Sequence, residues 1–75
     1  MRNPTYQNDI LNQTIAAAMT CMPGQMINSD TKLGPDFSDI NMPAGVSVGS
    51  YVSDDEIGPD TTVGELAQML YEDRL

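Results

Sequence analysis

The sequence predicts a small α+β domain, with a long N-terminal helix, an irregular middle holding one short strand, and a C-terminal helix. Three observations predict it: a helical apolar period over residues 4–22, a period-two pattern from Val46 to Val52, and a Thr-x-x-Glu helix start at Thr62.

The first helix is expected over 4–22. Asn3 is placed to cap the first free amides, and Pro4 suits the first helical position, where its missing N–H costs nothing. Leu11, Ile15, Ala18, Met19 and Met22 recur on one face, with Ile10, Ala17 and Cys21 flanking them. Pro23 disfavours α geometry at Met22, and Gly24 permits a left-handed exit.

Residues 23–60 are dominated by turn formers: Gly24, Gly34, Pro35, Pro43, Gly45, Gly49, Gly58 and Pro59 interrupt any long element. Within them, Val46, Val48 and Val52 fall on one side of an extended chain and Ser47, Gly49 and Tyr51 on the other. The period of two and the β-branched side chains predict a half-buried strand at 46–52. A lone strand leaves its backbone groups unpaired, so it pairs either with a segment such as Gln25–Asn28 or with another chain. Ser53 and Glu56 have capping-box spacing and predict a short turn over Asp54–Ile57. The last helix is expected over 62–74, with Val63, Leu66, Ala67, Leu70 and Tyr71 on its apolar face. Asp60 before the cap and Arg74 near the far end suit the helix dipole.

At 75 residues there is length for one domain, expected to span 1–75 with a sparse core. Five Leu, five Ile, four Val and one Phe are supplemented by six Met, a residue that fills irregular gaps and adaptable surfaces. The net charge of −8 argues against nucleic-acid and anionic-membrane partners. Nine of the 11 acids follow Leu33, and no Lys or Arg stands between Lys32 and Arg74. Such a field attracts and orients a basic protein surface, or serves simply to keep a small protein soluble. A leader with a continuous apolar core and a membrane-spanning run are both lacking, so the expectation is a soluble chain of the cytoplasm or of a multi-protein particle, not a secreted one. Cys21 has no partner for an internal disulfide and reads as a small buried hydrophobe.

The chain contains no His, which removes the usual general base and the commonest metal ligand. No phosphate-cradling glycine motif occurs. Asp54-Asp55-Glu56-Ile57-Gly58-Pro59-Asp60 departs from a calcium loop: Gly is at the fifth place, Pro follows it, and no Glu stands at the twelfth. No catalytic residues, metal ligands or cofactors are expected on these grounds. The expected function is a non-enzymatic, acidic interaction or assembly subunit, completed by self-association or by docking on a larger partner. The candidate partner-binding residues are Val46, Val48, Tyr51, Val52, Asp54, Asp55 and Glu56.

A second expectation comes from likeness. The stretch Ser53–Leu66 and the segments Ile27–Leu33 and Leu33-Gly34-Pro35-Asp36-Phe37-Ser38-Asp39 together resemble the acyl carrier proteins, in the acidic lead into the last helix and in the Leu-Gly-x-Asp-Ser-Leu motif. That resemblance implies a phosphopantetheine arm on Ser38 and acidic docking on basic enzymes. In this chain Phe37 intervenes between Asp36 and Ser38, Asp39 stands where the family has Leu, and the strand pattern occupies the region of the family's second helix.

Overall fold

The computed structural model describes residues 4–73, which fold as three helices, α1 (Pro4–Cys21), α2 (Phe37–Val48) and α3 (Val63–Asp73). Single 3-10 turns occupy Gly34–Asp36 and Asp54–Glu56. Among the described residues there is no strand, so the α+β expectation is corrected to an all-helical domain. The strand expected at 46–52 is the last turn of α2 followed by an irregular segment.

The physical reason lies in residues N-terminal to the alternation. Ile40, Ala44 and Val48 stand one helical turn apart, and all three are buried. Asn41 and Gly45, each one position further on, are buried beside them. This face packs on α1, and the packing outweighs the low helix propensity of Pro43, Gly45 and two Val residues. Gly49, at φ 79°, ends the helix in the left-handed region, and its N–H and that of Ser50 both donate to Gly45 O at 2.8 and 3.0 Å.

α1 packs against both α2 and α3, which meet each other less extensively. Its buried stripe is Ile10, Thr14, Ala17 and Ala18, with Cys21 half-buried. Of the face expected to lead, Ala18 is fully buried, Leu11, Ile15 and Met22 are only partly buried, and Met19 is exposed. The centre of the buried face is therefore shifted onto the stripe that flanks it in sequence. Thr14 satisfies its hydroxyl by donating to Ile10 O at 2.8 Å, so a polar residue sits there without an unmet group. Gly24 has φ 80°, as the helix exit requires. The expected cap Asn3 lies outside the described residues, as does Arg74.

α3 buries Val63, Leu66, Ala67, Leu70 and Tyr71, the face read from its periodicity. Tyr71 is the largest fully buried side chain. Its start is the expected capping box: Glu65 N–H donates to Thr62 Oγ1 at 3.1 Å, and Thr62 N–H donates to Glu65 Oε1 at 2.9 Å. The same device at Ser53 and Glu56 holds the second 3-10 turn.

Extended pairing does occur, between other segments. Leu33 N–H donates to Thr61 O and Val63 N–H to Thr31 O, both at 2.8 Å, around an isolated antiparallel bridge of Lys32 with Thr62. Gly64 N–H donates to Ser29 O at 2.8 Å, and Gly34 N–H to Pro59 O at 3.0 Å. The long α1–α2 connection is thus tied to the start of α3. The Gln25–Asn28 segment belongs to this connection and forms no strand.

The radius of gyration, 11.1 Å, matches the roughly 11 Å of a compact chain this long. Leu33 and Val52 complete the core from the two connections. The chain encloses its own core, which removes the orphan strand as a reason for a partner to complete the fold.

Candidate interaction surface

Burial of Ile40, Ala44 and Val48 turns the opposite face of α2 outward. Met42 is 74% exposed and Val46 78% exposed, one helical turn apart. The chain then turns back at Gly49 and runs alongside α2 as residues 50–54. Tyr51 on that return is 76% exposed. Between helix and return segment lies a groove of about 380 Å³. Ser38, Met42 and Val46 form its helical wall, and Tyr51, Val52 and Asp54 form the other.

Two features set its width. Asn41, 6% exposed, donates through Nδ2 to Val52 O at 2.6 Å and to Asp54 Oδ1 at 2.9 Å, which ties the return segment to α2. Gly45 lets the segment come close, because a Cβ there would stand 2.9 Å from Ser50 O. On the side away from α2, Ser50 Oγ donates to Leu70 O at 3.0 Å and Tyr51 N–H to Asp73 Oδ2 at 2.8 Å. The outer wall is held alternately by α2 and α3.

The groove has an acidic surround. Asp54 lines it, and Asp39, Asp55 and Glu56, next in sequence to lining residues or to Asp54–Asp55, are exposed. A second, more polar depression of about 340 Å³ begins on the other side of Tyr51, where Glu56, Glu72 and Asp73 meet Met69. Several of these carboxylates already hold protein donors: Asp54 takes Asn41, Glu56 takes Ser53 N–H and Asp73 takes Tyr51 N–H. No group of three or more potential metal ligands forms among the described residues. No described helix is long and apolar enough to cross a membrane.

The seven candidate partner-binding residues divide. Val46 and Tyr51 face outward at the groove, and Asp54, Asp55 and Glu56 are exposed on the neighbouring 3-10 turn. Val48 and Val52 are core residues, 8% and 4% exposed, and are unreachable by a partner. A helix separates 46 from 48 by about 200°, whereas a strand would place them together. Met42, Asn41 and Gly45 were not among the sequence candidates. The i, i+4 series Ser38–Met42–Val46 is the signal that points to Met42, and Asn41 and Gly45 stand one position before Met42 and Val46 on the adjoining row.

Ser38 is exposed in the first turn of α2 and lines one end of the groove. The region read as a strand pattern after Ser38 is helical as far as Val48. Phe37 is half-buried against the core, which fixes Ser38 outward at the next position. No protein-family model, curated protein or solved structure matches this chain.

Proposed function

We propose that this chain is a non-enzymatic, acidic interaction module that docks on a basic protein partner through the exposed face of α2 and the return segment 50–54. The observation that carries the reading is the concentration of exposed apolar side chains there. Met42, Val46 and Tyr51 flank one groove within a surface whose charges from Leu33 to Asp73 are all negative. Apolar anchors supply affinity once desolvated, and the one-signed field speeds and orients the encounter. A copy of the same chain carries the same charge of −8, so like faces repel, and the closed core gives no reason for self-completion. The test is capture from the source cells on the immobilised chain and on its Met42→Ser/Val46→Ser variant. Expected is a basic protein retained by the first and lost from the second. Equal retention by both would overturn the reading.

One observation favours a second reading, a carrier role. Ser38 is exposed at the amino end of α2 beside the groove, where a covalent arm would be free to reach a partner. Incubation with a phosphopantetheinyl transferase and coenzyme A, followed by intact-mass measurement, tests it. Addition of one arm that Ser38→Ala abolishes would establish the reading, and an unchanged mass would remove it.

A further inference from the structure

The shape of the α2 groove says more about its occupant than charge alone. It follows α2 from Ser38 to Gly49, eleven residue steps, or about 16 Å at the helical rise. Its lining is mainly apolar, and exposed apolar side chains stand on both lips: Met42 and Val46 on the helix, Tyr51 on the return segment. Gly45 and Gly49 stand one turn apart along the groove, with Gly45 closed over by Ser50 O and Gly49 at the exposed end where the chain turns back. Met42 is unbranched and adapts its shape to a partner surface. Tyr51 presents an aromatic ring that accepts a cation over its face.

We infer that the groove receives one short amphipathic, cationic helix of the partner, an inference that rests on the interaction reading above. The match is one of length, polarity and charge. Roughly three helical turns span about 16 Å. Apolar side chains spaced i, i+3/i+4 and i+7 reach into a groove of this form. Lysines and arginines on the flanks of that helix meet Asp39 and Asp54–Glu56 on this chain, acids within a stretch from Leu33 to Asp73 that carries no Lys or Arg. Because these acids lie at the rim, they set encounter rate and salt dependence, and the residence time comes from the apolar contacts.

The experiment titrates the full chain with three synthetic peptides. The first carries Leu on one helical face and Lys and Arg on the other. The second keeps its charges and replaces each Leu by Ser. The third keeps its composition and carries a central Pro. Binding is read by amide chemical shifts and by the peptide's circular dichroism. The first peptide is expected to gain helicity and to shift Met42, Val46, Gly49, Tyr51 and Val52. Met42→Ser/Val46→Ser, changes at exposed positions, is expected to weaken it by about tenfold or more with the chain's own helicity intact. Equal binding of the Ser-faced peptide would reduce the interaction to charge and overturn the inference. Equal binding of the Pro peptide would assign the groove to an extended segment and overturn it likewise. The captured partner separates the two failures. If its retention depends on Met42 and Val46 but the first peptide does not compete with it, only the helical occupant is lost. If its retention is indifferent to both residues, the interaction reading falls as well.

Discussion

The Cys21 thiol donates to Asp39 O across 3.5 Å, and so occupies the place of a helix hydrogen bond that Pro43 cannot make. Residue 43 is four places beyond Asp39, and proline has no N–H to give its carbonyl. The last residue of α1 therefore repairs an interior defect of α2. This accounts for a half-buried cysteine and a mid-helix proline with one contact, and it joins two helices that the core also joins.

A double-mutant cycle tests that contact. Pro43→Ala restores the N–H and removes ring crowding, and is expected to stabilise the fold by about 1–2 kcal/mol after the lost rigidity of proline is offset. Cys21→Ala is expected to cost about 1 kcal/mol in the parent chain. In the Pro43→Ala background its cost should fall by about 0.5 kcal/mol or more, because Asp39 O then has a helical donor. Urea denaturation of the four proteins measures this, and strict additivity would show that the thiol plays no part.

Val46 and Val48 separate the helical from the extended arrangement. Val48→Ala is expected to cost about 1–3 kcal/mol, since its side chain is in the core. Val46→Ala is expected to stay within about 0.5 kcal/mol, since its side chain is 78% exposed. Comparable losses at both positions would favour a shared strand face. Thermal or chemical melts of the two variants decide it.

The glycines give a third contrast. Gly45→Ala gains helix propensity of about 1 kcal/mol but drives a Cβ to 2.9 Å from Ser50 O, a backbone atom that cannot rotate away. The expected net result is destabilisation by about 1–3 kcal/mol. Gly64→Ala meets Ser29 O at 2.9 Å and should behave alike. Gly58→Ala meets nothing within 4 Å at an ordinary φ and should be neutral or mildly stabilising. Melting temperatures of the three variants, taken together, check the geometry of both connections.

Ionic strength acts in one direction. The chain has a charge of −8, and its exposed Lys32–Asp60 pair, at 3.6 Å, loses little to screening. Salt therefore relieves repulsion among the acids, and the melting temperature is expected to rise between low and moderate sodium chloride. A gain of about 1 kcal/mol would appear as roughly 4–8 °C in a domain of this size. A fall with salt would show that attractive pairs dominate.

Parts of this molecule are decided locally and are legible in the sequence. Thr62 and Glu65 satisfy each other's backbone donors within one turn, so the start of α3 follows from four residues. Its five buried positions follow from period alone, because a single strongly amphipathic helix has one face to bury. The Ser53–Glu56 turn and the Gly24 exit are equally local. The acidity of everything after Leu33 is likewise a property of the chain and needs no fold to be read.

α2 is different, because its evidence is spread over three elements. Taken by itself, Val46–Val52 alternates, and Pro43 and Gly45 weaken any helix. Only with α1 in place does Cys21 reach Asp39 O, and only there does the buried face of Ile40, Ala44 and Val48 find the helix it packs on. The groove depends on the same assembly. Met42 and Val46 become an outer lip because α2 is helical, and Tyr51 becomes the other because Asn41, Ser50 and Asp73 hold the return segment between two helices. Caps, periodicity and charge act over a few residues, and the sequence by itself determined them. The choice between helix and strand at residues 46–48, and with it the interaction surface, was made by packing energy among residues distant along the chain.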